Sequence, residues 1–585
     1  MKIYLPMQIS ILLVLSLPFS VDAQWCSNPA QNTAIVCTCG NQLLPKIEAT
    51  SNGGCYIAWF DNRSGNYSVY LQRLNSKGKP QWQSDGLLIS DYSQLGWVAD
   101  YDMMVDDANN AVIVFSDIRN GGTSSLDVFA YKISPGGDFL WGCDGLNLSD
   151  FSLACSEPDP KIVQTSDGNF VVTWARIGSR HDIVLQKLSA SGRKLWGNDG
   201  IVVSAEDSGN VGCPNIIATE DNHAIIVWKH STGSFNNNAT DIFTQKFGSS
   251  GEPVWNACAV PIHENGCIPG YFTPQICSDG KGGAFYAWYD FTSLSEANVW
   301  VQHVASGGTS QFPSNGIKST TNLDVLHLNP SIAHLKQAEI CCVFWIEKNI
   351  NQTKFGIAGQ AFSTAGSRLW TEEGNCFQQL NANEKYSLRS APIQNSICLC
   401  YLERTQPGVY AAGVKAFRIA SDGKIVCHPA LISSSASGNK DDLQLMRNSA
   451  DCMFFTWHDE RNDQGDIFAQ NMHPDGSLGN FEVSKASSVL KRTSMPVLTN
   501  NYPNPFNART EIRFQLVESQ RVQITIYNAA GQTIRKLMNA ACKPGFHRIR
   551  WNGTDASGKF VGSGVYLCRL KMGDAVRTCK MSLLK

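Results

Sequence analysis

A chain of 585 residues is too long for one compact core and implies several domains or a repeat array. With 43% hydrophobic and 17% charged residues it is too apolar for general disorder, and its 49 Gly, 15 Trp, 16 Tyr and 27 Phe suit a β-rich protein. Net charge is −2, and no recognised motif would suit nucleic acid.

The chain opens "MKIYLPMQISILLVLSLPFSVDAQW", a lysine followed by an apolar run and then Val21-Asp22-Ala23. This reads as a secretory signal peptide over residues 1–23, with Gln24 the first mature residue. No later segment reaches the ~18 unbroken apolar residues of a membrane helix. Cys26 does not directly follow the cleavage point, which argues against a lipid anchor. The 20 cysteines lie largely inside apolar runs such as "CCVFW" and "CMFFTW", as buried thiols or a few disulfides would. No C-x-x-C pair suggests zinc.

From residue 24 to 484 one pattern recurs. "WFDNRSGNYSVYLQRLNSKG" at Trp59 and "WHDERNDQGDIFAQNMHPDG" at Trp457 share Trp, Asp, Arg, Gln and Gly at equal offsets. Eight aromatic anchors end strand-like runs: Trp59, Phe115, Trp174, Trp228, Trp288, Trp345, Tyr401 and Trp457, spaced 54 to 60 residues apart. A fixed period of this size marks a solenoid, propeller or array. Each unit has a first strand often begun by Pro ("PKIEAT", "PKIVQT", "PNIIAT"), a Gly/Asn/Asp turn, an anchor strand, a third strand such as "DIFAQNM", and "W-x-x-D/E-G" before a last strand. Four short strands per unit predict an all-β propeller of eight blades, or seven should one unit be degenerate, with an open stack of sheets as the competing architecture. Residues 24–44 resemble the end of a unit and could supply the closing strand.

The Asp-x-Arg of the repeat stands as Asp61/Arg63, Asp117/Arg119 and Asp459/Arg461 and decays elsewhere. A catalytic group is needed once and a structural pair once per blade, so the pair is expected to brace the loop after its strand. The alternative is an arginine cluster at one mouth of the ring, as in sialidase-like propellers, although the S-x-D-x-G-x-T-W pattern of that family is absent. His181, His223, His230, His303 and His458 show no metal-ligand spacing. Asp290, Glu347, Glu403 and Asp459 could pair across the ring as glycosidase acid and base. The loop Asp459 to Asp466 is acidic enough for Ca²⁺ but lacks an EF-hand pattern, and no other cofactor is indicated.

A linker over 485–498 precedes a basic module, 499–585, holding 14 Lys+Arg against 4 Asp+Glu, or +10 where the remainder carries −12. Its alternating runs "TEIRFQL" and "RVQITIYN" and its Gly punctuation predict a small immunoglobulin-like sandwich. "YPNPFN", "IYNAAGQTIRKL", "HRIRWNGTDASGKFVGSGVYLCRL" and "KMSLLK" resemble the type A C-terminal sorting domain of the type IX secretion system, related to the Ig-like domain of the flagellar hook-capping protein. The resemblance rests on Pro503, Asn504, Pro505, Phe506, Asn507, Gly531, Gly564, Val565, Tyr566 and Lys580; Ala508 departs from it. It implies a bacterial cargo read by the outer-membrane secretion machinery and then released or attached to surface lipopolysaccharide. Taken together, the expectation is an exported, non-catalytic binding propeller for an unknown glycan or protein, with an extracellular glycoside hydrolase or lyase as the alternative.

Overall fold

The computed structural model describes residues 24–93, 100–119, 126–149, 155–205, 207, 209–232, 239–256, 258–293, 295–405, 411–433, 438–462, 465–480, 497–498, 501, 504–507, 509–516, 519–543, 545–572 and 575–584. The signal peptide, most of the linker, Pro503 and Ala508 lie outside them. The chain divides into two compact units after Phe481. No helix long and apolar enough to cross a membrane occurs among the described residues.

Among the described residues the first unit consists of eight four-stranded antiparallel sheets. Blades 1 to 7 span residues 42–90, 102–147, 161–204, 210–266, 275–318, 326–381 and 384–433. Blade 8 takes its three inner strands from residues 440–472 and its outermost strand, Thr33–Val36, from the start of the chain. The innermost strands of successive blades touch one another, and that of blade 1 touches that of blade 8, so the ring is closed. Closure removes the sheet edges that an open stack would expose.

The anchor strands are the most buried part of each blade. Trp59, Phe115, Trp288, Trp345, Tyr401 and Trp457 are fully buried, and Trp174 and Trp228 nearly so. Such rings fill the wedge between two sheet faces, where each buried aromatic contributes about 2–3 kcal/mol. Cys55, Cys341, Cys342 and Cys400 are buried in the same strands as small apolar groups, and Cys452 is buried directly before the strand Met453–Asp459.

The Trp of "W-x-x-D/E-G", and Trp255 at the same place in blade 4, join five blades to the next. Trp82 donates its indole N–H to Pro135 O at 3.3 Å, Trp141 to Ala190 O at 3.3 Å, Trp196 to Ser249 O at 3.0 Å, Trp255 to Ser306 O at 2.8 Å and Trp370 to Ser421 O at 3.1 Å. The glycine that ends the motif has a packing reason. Gly86 has φ +85°, and a Cβ there would stand 2.4 Å from the ring of Trp59.

One expectation needs correcting. Pro160 and Pro274 directly precede the inner strands Lys161–Gln164 and Gln275–Ser278, but in blades 1, 4 and 6 the strand starts earlier, at Gln42, Asn210 and Leu326, and runs through a β-bulge at the proline. The residue before it is left-handed, as at Leu44 (φ 52°), Asp159 (φ 58°), Cys213 (φ 52°) and Asn329 (φ 51°). Proline lacks an N–H, so it falls where the bulge already breaks the ladder.

The second unit is a sandwich of one three-stranded and one four-stranded sheet among the described residues. Ile512, Phe514, Ile524, Ile526, Trp551, Leu570 and Met581 fill its core.

Candidate functional site

The repeated Asp and Arg are consumed within their own blades. Asp61 accepts the indole N–H of Trp59 at 3.0 Å, the backbone N–H of Arg63 at 2.9 Å and the Arg63 guanidinium. Asp459 accepts Trp457 Nε1 at 2.7 Å, Arg461 N at 3.1 Å and Arg461 Nη2 at 2.6 Å. Each arginine then lies over the aromatic ring of the third strand: Arg63 over Tyr70 at 4.2 Å, Arg119 over Phe129 at 3.7 Å and Arg461 over Phe468 at 4.0 Å. It also reaches the loop before the outer strand, as Arg63 does to Asp85 O at 3.1 Å and Arg119 to Asp144 O at 2.7 Å.

The other carboxylates named from sequence do not converge across the ring. Asp290 accepts Cys267 N at 2.7 Å and faces His263 Nε2 at 3.1 Å, Glu403 is held by Lys385 and Lys415, and Glu347 stands 3.9 Å from His327. In the Asp459-to-Asp466 loop, Asp466 accepts Asn462 Nδ2 at 2.6 Å and Asp459 is taken up by Arg461 and Trp457. Among the described residues no group of three or more His, Cys, Asp or Glu is set to hold a metal ion.

A different cluster lines the axis. Alternate residues of the inner strands point away from the blade cores, and those of blades 1 to 3 meet. Asp100 sits between two ammonium groups, Lys46 Nζ at 2.7 Å and Lys161 Nζ at 2.6 Å. Asp102 accepts the backbone N–H of Ile162 at 3.0 Å, Asp159 that of Asp100 at 3.1 Å, and Asp442 of blade 8 that of Leu44 at 3.2 Å. Each of these bonds crosses from one blade to its neighbour. Although flanked by two lysines, Asp100 keeps 39% of its side chain open.

The electrostatics separate these groups. Burial alone would push Asp100 up, but Lys161 and Lys46 overcome it and hold the carboxyl below the usual range. Burial, with Asp102 alongside, pushes Glu48 well up; burial likewise raises Asp102, Asp159 and Asp442. The opposite wall is uncharged at the matching places, with Cys213 and Asn215 in blade 4, Gln275 in blade 5 and Ser331 in blade 6; Arg389 of blade 7 is exposed. Tyr271, in the connection leading into blade 5, is 83% exposed, and its hydroxyl oxygen accepts the Tyr289 hydroxyl at 3.1 Å.

Sequence reasoning missed this cluster because it stands on the weakest strand of the repeat. The signal was present: the residues flanking the bulge, in "LPKI", "YDMM", "DPKI", "CPNI" and "NPSI", carry charge in some units and none in others.

In the second unit Asn504 and Phe506, two of the residues on which the sequence resemblance rests, clamp the final strand. Phe506 is buried, donates its N–H to Ser582 O at 2.9 Å and accepts Leu584 N at 2.9 Å. Asn504 accepts Ser582 N at 2.8 Å and donates to Lys580 O at 3.0 Å, and the Asn504–Pro505 peptide is cis. Asn507 accepts Arg509 N at 2.9 Å, and Gly531 closes a turn on Asn528 O at 3.0 Å. Tyr566 donates to Gly562 O at 2.7 Å, Gly564 pairs with Leu583, and Val565 and Lys580 face outward.

Residues 502–575 match the family described as FlgD Ig-like domain. No curated protein matches the chain. Among solved structures it is similar to an α-L-arabinanase of Penicillium chrysogenum (10% identity, TM-score 0.32, 55% of this chain and 94% of that one). It is also similar to a PL25 ulvan lyase (10% identity, TM-score 0.41, 69% and 97%) and to the polysaccharide lyase Uly1 (10%, 0.40, 78% and 92%).

Proposed function

We propose that the chain is an exported bacterial protein, secreted or held at the cell surface, that works as a binding module. Its axial mouth takes a polar ligand, a glycan or a protein segment, and its Ig-like domain is the address read by the type IX secretion machinery. The observation that carries the binding reading is the once-only charged wall, Lys46–Asp100–Lys161, in a ring whose repeated charges are spent inside each blade. Carboxylates, ammonium groups and the exposed Tyr271 supply the hydrogen bonding and stacking surface that a sugar polymer uses. The excess of Lys and Arg in residues 499–585 would favour an anionic partner such as surface lipopolysaccharide.

A second reading, an extracellular glycoside hydrolase or lyase, is favoured by one observation. Asp100 is held ionised while Glu48 and Asp102 are pushed towards the protonated form, the separation an acid and base need. The mature chain is therefore tested on a glycan array and in parallel for cleavage of the polymers it retains. Binding without turnover, lost in Asp100→Asn, is the expected result. Turnover lost in Glu48→Gln would establish the second reading, and retention of no glycan or peptide would remove both. Secretion is tested separately: a chain ending at residue 498 should stay in the periplasm of its host.

A further inference from the structure

Five blades place a cation of the chain over an aromatic ring of the third strand: Arg63 over Tyr70, Arg119 over Phe129, Arg461 over Phe468, in blade 5 Lys318 over Trp300 at 5.5 Å and in blade 6 Lys348 over Phe355 at 5.4 Å. Blade 4 keeps the ring, Phe243, stacked on Trp228 at 6.2 Å. It has no such cation among the described residues, because Thr232 stands where the repeat has arginine. A cleft of about 690 Å³ opens there, between the outer strand Ile201–Ser204 of blade 3 and the body of blade 4.

A second break in the repeat accounts for the width of the cleft. In blades 1, 5 and 6 a left-handed glycine, Gly86, Gly316 or Gly374, lies between the anchor tryptophan and a third-strand carbonyl with no room for a Cβ. Blade 4 has Ala259 at that place, four residues after Trp255 as Gly86 follows Trp82, and Trp228 becomes part of the cleft wall. Its outer strand departs twice from regular register.

The repeat's own carboxylate is replaced as well, His230 standing where blade 1 has Asp61, but two other carboxylates lie beside it. Asp207 and Asp241 flank His230 at 2.9 Å and 3.3 Å at the polar end of the cleft, and His230 leans against Phe243 with ring centroids 5.9 Å apart. Asp207 keeps 54% of its side chain open. One histidine between two carboxylates leaves this end with an excess of acceptors and negative charge, beside an aromatic face.

We propose that the cleft between blades 3 and 4 binds an organic cation, a guanidinium or alkylammonium group, in the place that arginine fills from within the chain in blades 1, 2 and 8. The group enters over Phe243, as Arg63 lies over Tyr70, and donates to Asp207 and Asp241, which take the part that Asp61 plays beside Arg63. It comes either from a free amine or from an arginine side chain of a peptide, and the site is separate from the axial mouth.

The test titrates the mature chain with agmatine, with the peptide Gly-Arg-Gly and with the neutral isostere Gly-citrulline-Gly, reading tryptophan fluorescence and calorimetric heat. Agmatine binding together with Gly-Arg-Gly marks the guanidinium alone as the determinant; binding of the peptide alone marks a peptide source. In both cases citrulline should bind at least tenfold more weakly. Asp241→Asn should weaken binding about tenfold. Thr232→Arg, whose side chain shares the face of Trp228 and His230, should fill the slot, abolish binding and raise the unfolding midpoint. Equal binding of arginine and citrulline, binding unaffected by Thr232→Arg, or no binding by the folded chain would each overturn the proposal.

Discussion

Trp25 donates its indole N–H to the carbonyl oxygen of Ser76 at 3.1 Å, the bond that Trp82 makes to Pro135 one blade further on. The tryptophan that blade 8 needs to hold blade 1 is therefore supplied from the beginning of the chain, next to the strand Thr33–Val36 that completes the sheet. Its ring also stacks on Phe454 at 5.2 Å.

Loss of that ring should loosen the closure. Trp25→Ala is expected to cost about 3–5 kcal/mol, the usual range for a large aromatic removed from a packed site. Denaturant unfolding measures it. Trp25→Phe should recover most of the packing and lose only the bond to Ser76.

Asp459 is fully buried with Trp457, Arg461 and Lys440 converging on it. Asp459→Ala leaves buried cations without a counter-charge and is expected to cost about 3–5 kcal/mol. A change below 1 kcal/mol in the same unfolding assay would refute the bracing role.

Gly86→Ala should be far worse than Gly142→Ala. Both residues are left-handed, at φ +85° and +92°, but a Cβ at Gly86 meets Trp59 while one at Gly142 meets nothing within 4 Å. The expected costs are about 1–2 kcal/mol for the backbone alone at Gly142, and about 1–3 more from overpacking at Gly86. Thermal midpoints of the two variants check the order.

His327 is fully buried against Trp345, and burial pushes its pKa down to about 4. The unfolded chain takes up that proton near pH 6.5 and the folded chain only near 4, so the unfolded state binds more protons between them. Stability is thus complete above pH 6.5 and falls towards pH 4, by roughly 3 kcal/mol in all. His327→Leu should flatten the pH dependence of unfolding in this window. An unchanged slope would show that other groups set it.

The blade pattern was legible because a repeat copies its buried residues. Trp59, Trp345 and Trp457 are hidden from solvent in the same way in each unit, so the same side chain solves the same packing problem and leaves a periodic trace in the text. The Ig-like unit was legible for a related reason: Phe506, Ile524 and Trp551 occupy a core that few sequences of that length can build. What only the tertiary structure decided is which residues of different blades meet. Lys46, Asp100 and Lys161 lie far apart in the chain and touch because three inner strands converge on one axis. The cleft beside Phe243 is likewise defined by an arginine and a glycine that blade 4 lacks, and such absences acquire a shape only once neighbouring sheets are packed around them. Local chemistry sets the strand and the turn, whereas a site built across blades depends on distances that no single unit encodes.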